Sequence, residues 1–260
     1  MDLTAIDTYF ATRATVRAYT DKEIDRNLLI NLIELASHAP TTGNMQLYSV
    51  IVSSTRQERE AISPAHFNQP QVTSGAGVVL TFCVDINRFC KWCSINDAEA
   101  GFDNMQALMY GVLDCSMFAQ QFNTLAEMHG LGCCYLGTTQ FNAPLISEVL
   151  CLPDRVIPLI TLTVGYPAAS TVISDRLPVK GIIHDGLYHD YSGDDIRELY
   201  AEKEALPENI GFVRENGKNT LAQVYAEVRY PRGMNEEFSA VLNNYLDKVL
   251  FKADPIKRDE

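Results

Sequence analysis

Residues 104 to 128 constrain this chain more than any other segment. Leu108, Met109, Val112, Leu113, Met117, Phe118, Phe122 and Leu125 recur through an unbroken stretch and occupy more than one face of a helix. A helix that is apolar nearly all round must be covered on several sides. In a chain of 260 residues, the economical solution is a long central helix that packs on a sheet and also on a second copy of the chain. A homodimer is therefore expected. The hydrophobic content of 47% is sufficient for such a core without disulfide or metal staples.

Four short apolar runs can supply the sheet: Tyr48 to Val52, Gly77 to Asp85, Cys133 to Leu136 and Ile157 to Gly165. All four read as fully buried strands. Thr20-Asp21-Lys22-Glu23 spells a capping box, after which Ile24, Leu28, Leu32 and Leu35 recur at helical spacing up to Pro40. Helix and strand signals alternate without repeat or linker, so residues 1–190 read as one core. Beyond residue 190 the composition turns charged, with Asp194 to Glu204 helix-like and Asn219 to Tyr230 and Asn235 to Phe251 amphipathic. Residues 191–260 thus read as a helical excursion over the core or across the dimer.

Charge narrows the function classes. Lys and Arg number 21 against 33 Asp and Glu, a net charge of −12, which opposes broad binding of nucleic acid or anionic membrane. Any anion site must be local. No run approaches the roughly 20 apolar residues of a spanning helix, and Met1-Asp2-Leu3-Thr4 does not begin a secretory leader, so a soluble, cytoplasmic protein is expected. The cysteines Cys83, Cys90, Cys93, Cys115, Cys133, Cys134 and Cys151 are an odd set, mostly within apolar runs, and read as reduced. Cys90 and Cys93 have metal-pair spacing, but a structural zinc site wants a second pair and none follows. Cys133 and Cys134 should point to opposite faces of a strand.

Two segments carry candidate chemistry. Arg13-Ala14-Thr15-Val16-Arg17, if extended, projects two guanidinium groups and a hydroxyl from one side, as a phosphate grip would. On spacing alone, two solvated arginines beside a helix start is the more economical reading. Ala39-Pro40-Thr41-Thr42-Gly43-Asn44-Met45-Gln46 joins helix to strand with small, hydroxyl and amide residues, so its backbone could approach a planar heterocycle.

With these two segments the chain resembles the FMN-dependent nitroreductases, whose signature is Arg-x-Ser-x-Arg/Lys followed by Ala-Pro-Ser/Thr-x-x-Asn-x-Gln. The similarity continues in family order through Asn68-Gln69-Pro70-Gln71-Val72, Phe82-Cys83-Val84-Asp85, Gly130 to Gly137, Val164-Gly165-Tyr166-Pro167 and Arg176-Leu177-Pro178. The length and tail look most like the larger branch, which tends to use NADPH. The resemblance implies an α+β fold with a mixed sheet flanked by helices, the long central helix at a homodimer interface, and two FMN molecules bound there. It also implies that Arg13, Ala14, Thr15 and Arg17 hold the ribityl phosphate and pyrimidine edge, with Arg176 adding a phosphate contact. Thr41 and Gln69 would approach the flavin ring or ribityl chain. Leu136, Gly137 and Thr138 would face the reactive centre, where a main-chain amide can hydrogen-bond flavin N5. Each has a structural alternative: Thr41 as a loop cap, Gln69 as a surface amide, Gly137 as a turn glycine.

The implied activity is two-electron transfer from NADPH or NADH to a small nitroaromatic or quinone acceptor by a ping-pong mechanism. Flavin N5 would carry the chemistry, with no catalytic side chain and no metal. His66 invites an acid-base role, but a loop histidine is usually solvated. Two departures stand out. Ser174-Asp175 precedes Arg176 where the larger branch has Lys-Pro, and Gln140 replaces an arginine suited to the extra phosphate of NADPH. Competing readings are a flavin reductase or dehalogenase-like enzyme on the same scaffold, a flavin-binding protein without turnover, and a metal protein built on Cys90 and Cys93. On the sequence reading, Arg13→Ala or Arg17→Ala should release flavin with the fold largely intact.

Overall fold

Strands β1 (Tyr48–Ser53), β2 (Val78–Asp85), β3 (Gly132–Leu136) and β4 (Val156–Gly165) pair in the order β1-β2-β4-β3 in the computed structural model, which describes residues 2–254. The three pairings are antiparallel, so among the described residues this sheet is antiparallel and not mixed. The α+β class itself is as expected. The β2–β4 register slips between Phe82 and Cys83, opposite Pro158. A proline lacks the N–H that a regular ladder needs, and a bulge absorbs the loss.

Ten helices accompany the strands among the described residues: α1 (Leu3–Thr12), α2 (Arg26–Ala36), α3 (Arg56–Ile62), α4 (Asn87–Ile95), α5 (Met105–Met128), α6 (Ala143–Val149), α7 (Gly193–Ala205), α8 (Pro207–Glu215), α9 (Leu221–Gln223) and α10 (Arg232–Leu246). Helix α2 starts later than the sequence suggests. Asp25, not Thr20, is its N-cap, accepting from Asn27 N and Leu28 N at 2.8 and 3.0 Å. A carboxylate directly before the apolar run satisfies the orphan N–H groups better than a hydroxyl five residues upstream.

The chain forms two compact units, one comprising residues up to 172 and from 238 onward, the other residues 173–237. The first division therefore falls at 172/173 where the composition suggested 190, and the chain rejoins the first unit at Phe238.

In the first unit the period-two rule sorts the strands between two cores. Leu80, Phe82, Val84, Cys133, Leu162 and Val164 face the larger core, with Phe118 and Phe122 of α5 and Leu29 and Leu32 of α2. Val79, Cys134 and Leu136 face the smaller one, with Ile62, Val72 and Ile146. Cys133 and Cys134 thus lie on opposite faces, as expected. The middle four residues of β1 are only half-buried and Tyr135 of β3 is exposed, so neither edge strand has the full burial expected of it. Helix α5 packs tightly on β2 at Gly111, where a Cβ would fall 2.3 Å from Val84 Cγ1. Its outer face presents Met105, Met109, Leu113 and Met117, each more than a third exposed and four residues apart.

The second unit contains α7, α8 and α9. A Ser192–Asp195 capping box starts α7, and Pro207 at the first turn starts α8. Helix α8 has no counterpart in the sequence reading. Among the described residues, no helix is long and apolar enough to cross a membrane.

Candidate functional site

In the segment after α1, Arg13, Ala14 and Thr15 are half-buried, Val16 is buried and Arg17 is exposed. Val16 N donates to Cys133 O at 3.0 Å, which lays this segment against β3. The approach requires a glycine at the strand's first residue, since a Cβ on Gly132 would fall 2.4 Å from Val16 Cγ2.

The two arginines differ in their commitments. Arg13 Nη2 and Nε donate to Glu127 Oε1 and Oε2 at 2.7 and 3.1 Å, and Tyr9 Oη donates to the same Oε2 at 2.6 Å. This fork fastens the end of α1 to α5, and the bond to Glu127 raises the Arg13 pKa further. Arg17 has no carboxylate partner among the described residues. Of the two, it is the cation available to an anion.

The loop that holds Thr41 is anchored by a residue the sequence reading passed over. Asp114 of α5 is fully buried and accepts from Thr42 N at 2.7 Å and Leu47 N at 3.2 Å. A carboxylate between Leu113 and Cys115, in the apolar middle of the helix, was the available signal. Between those two bonds Gly43, Asn44 and Gln46 all have left-handed φ of 57°, 56° and 55°. Two non-glycine residues in that region mark a backbone held by its surroundings. Thr41 itself is half-buried, and its side chain does not cap the following turn.

At the end of β3, Leu136 is buried, Gly137 is exposed with no atom within 4 Å of a built Cβ, and Thr138 is half-buried. Thr138 Oγ1 lies 2.8 Å from His66 Nδ1 and accepts from Gln69 Nε2 at 3.4 Å. Gln71 Nε2 donates to Gln69 Oε1 at 2.7 Å, and Asn142 Nδ2 to Ala65 O at 2.7 Å. Two loops are thereby tied together, and Gln69 is a network member and not a free surface amide.

His66 corrects an expectation. It is fully buried, not solvated, because the turn Ser63–His66 after α3 folds inward beside the smaller core. Burial lowers its pKa to about 4, so the imidazole is neutral near pH 7. Phe67 and Asn68, with φ of 54° and 51°, then reverse the chain and present Gln69.

Arg176 belongs to the second unit, where Nη1 donates to Asp175 O at 2.7 Å and Ser174 O at 3.3 Å. The Asp175 carboxylate accepts from Lys203 Nζ at 2.7 Å, a bond that raises the lysine pKa. The acidic neighbour of Arg176 is therefore neutralised by a residue of α7. Cys90 and Cys93 lie on α4, and among the described residues no group of three or more His, Cys, Asp or Glu could hold a metal ion.

Residues 10–166 match the model of the nitroreductase family. A chromium(VI) reductase from Pseudomonas sp. (strain G-1) is 31% identical over 221 residues, covering 84% of this chain and 90% of that protein. An FMN reductase (NADPH) from Bacillus subtilis (strain 168) is 29% identical over 206 residues, covering 78% and 82%. The solved structure of a Bacteroides fragilis NCTC 9343 protein superposes with a TM-score of 0.92 at 48% identity, covering 94% of this chain and 99% of that one.

Proposed function

Because the chain belongs to the nitroreductase family, we propose that it is a flavoenzyme that binds FMN and moves two electrons from NADPH or NADH to a nitroaromatic or quinone acceptor. The single observation that carries this reading is the Val16 N–Cys133 O bond. It fixes the Arg13 to Arg17 segment to the strand that ends at Leu136, Gly137 and Thr138. This backbone bond joins the segment proposed to grip the phosphate to the strand whose end is proposed to face the ring.

The residues fit that cofactor. Arg17 offers a guanidinium not neutralised by a carboxylate in a chain of net charge −12, and a fork of N–H donors suits a phosphate dianion. Gly137 leaves open space where a ring could approach its amide. Ala14 and Thr15 add a small side chain and a hydroxyl on the grip, Gln69 adds an amide at Thr138, and Thr41 adds a hydroxyl on the loop that Asp114 anchors. When bound, FMN supplies a reversible two-electron acceptor.

The side chains around Gly137 then position and exclude, without needing an obligatory acid or base. His66 is neutral and buried, Asp114 is used by the loop backbone, and Glu127 is used by Arg13 and Tyr9. If donor and acceptor use the same open face beside Gly137, they must bind in turn, and the kinetics are ping-pong. The relative named as an FMN reductase (NADPH) favours free flavin as a second acceptor class on the same scaffold.

We also propose that the row Met105, Met109, Leu113 and Met117 on α5 is covered by a second copy of the chain. A groove of about 640 Å³ beside it is lined by Leu35, Ala39, Pro40, Met117 and Leu125, and an exposed apolar row of this kind marks an interface. Titrating the protein with FMN while following flavin fluorescence tests the cofactor assignment. Saturable quenching supports it, and an unchanged signal up to millimolar protein contradicts it.

A further inference from the structure

We propose that His66 is a positioning residue that aims the Thr138 hydroxyl proton out of the protein, toward an acceptor atom of the bound flavin. The inference rests on the FMN reading above and adds a residue to it.

The argument begins with donors and lone pairs. A threonine hydroxyl has one proton and two lone pairs. Gln69 Nε2 donates to Thr138 Oγ1 at 3.4 Å, and His66 Nδ1 lies 2.8 Å from the same oxygen. A neutral imidazole carries its proton on either nitrogen. If it sat on Nε2, that N–H would be a buried donor with no partner among the described residues, since Nε2 is solvent-free and unpaired. If it sits on Nδ1, the orphan is only a lone pair. Unpaired buried N–H groups are the rarer and costlier case. The buried site therefore favours the Nδ1–H tautomer, with His66 donating to Thr138.

Both lone pairs of Oγ1 are then occupied from inside the protein. With no internal acceptor for it among the described residues, the hydroxyl proton is directed to the solvent side of a half-buried residue, next to the open space at Gly137. Three features hold this arrangement. The Asn142–Ala65 bond ties the two loops at 2.7 Å. Gln71 fixes the Gln69 amide at 2.7 Å. Phe67 and Asn68 keep left-handed backbones immediately after His66, a cost that persists only where neighbouring structure imposes it.

An aimed donor favours whichever flavin state carries more electron density on the acceptor atom, which is the reduced one. The test is the affinity of the holoenzyme for reduced relative to oxidised FMN, from the midpoint potential and the FMN dissociation constant. A lost neutral hydrogen bond of about 1 kcal/mol corresponds to about a fivefold change. Thr138→Val and His66→Leu are each expected to lower that ratio about fivefold, and the double variant should fall no further. His66→Asn places an amide N–H near the Nδ1 position and should stay within about twofold of the parent.

An effect in Thr138→Val that His66→Leu lacks, additive effects in the double variant, or an Asn variant as impaired as Leu would overturn the positioning role. So would an unchanged ratio in all variants of a parent that binds FMN, and that outcome leaves the FMN reading standing. A parent that does not bind FMN would overturn both. Thermal unfolding of each variant separates a general loss of packing, which lowers both affinities together and leaves the ratio unchanged.

Discussion

The imidazole Nδ1 of His66 sits 2.8 Å from the hydroxyl of Thr138, and this contact joins the loop after α3 to the end of β3. It has a consequence for stability. The folded-state pKa of His66 is about 4 because burial disfavours its charged form, against about 6.5 in an unfolded chain. Between those values the unfolded state binds the extra proton, so stability falls as pH drops from 6.5 to 4 and is constant in this contribution above 6.5. The difference corresponds to roughly 3 kcal/mol. Urea unfolding at a series of pH values should show this slope in the parent and a flatter one in His66→Asn. Equal slopes would mean that His66 titrates normally.

The pairing of Arg13 with Glu127 separates two arginines that look equivalent in sequence. Arg17→Ala is expected to weaken FMN binding roughly 10- to 100-fold, the range for a charge-assisted bond, with little change in unfolding midpoint. Arg13→Ala should instead destabilise the fold, by about 2 kcal/mol, because Glu127 is left partly buried without its cation. Flavin titration and urea unfolding of both variants decide this. The reverse ranking would assign the phosphate to Arg13.

Asp114 accepts two backbone N–H groups, and an asparagine has only one side-chain oxygen to offer. Asp114→Asn should therefore cost about 1–3 kcal/mol and loosen the loop holding Thr41. Hydrogen exchange at the Thr42 and Leu47 amides should accelerate in this variant. Unchanged protection at both would show that the loop is held by other means.

Adding a methyl at Gly132 would place it 2.4 Å from Val16. Gly132→Ala is expected to destabilise by about 1–3 kcal/mol and to weaken FMN binding by displacing the Arg13 to Arg17 segment from β3. A variant with lowered stability but parental FMN affinity would show that this register is not needed for the cofactor.

Leu113 lies midway along the exposed row on α5. Leu113→Glu should convert a dimer of the parent chain into a monomer, read as a halved mass by light scattering at micromolar concentration. A monomeric parent would remove the proposed partner.

The parts of this fold legible in the sequence were those fixed by local pattern. The apolar runs of β2 and β4 and the all-round apolarity of α5 point to buried elements wherever the chain places them. Cys133 and Cys134 must diverge in any strand. What escaped depends on distant neighbours. The half-burial of β1 depends on what packs over it, which no run of Tyr48 to Val52 encodes. His66 is buried by packing of α3 and the smaller core, and Asp114 reads as a defect in an apolar helix until Thr42 and Leu47 supply its donors. The Asp175–Lys203 pair spans 28 residues, so the sequence showed an unwelcome charge beside Arg176 without its neutralising partner. The candidate flavin residues were named through family resemblance. The contacts of Gln69 and Thr138 with His66 add a physical arrangement that the resemblance did not contain.

The most direct test of the proposed chemistry is an anaerobic absorbance spectrum of FMN-loaded protein, before and after adding NADPH and, separately, NADH. The account predicts that the oxidised flavin bands bleach with at least one donor and return when a nitroaromatic or quinone is added. Bound flavin that neither donor bleaches would contradict it, and would leave a protein that holds FMN without using it.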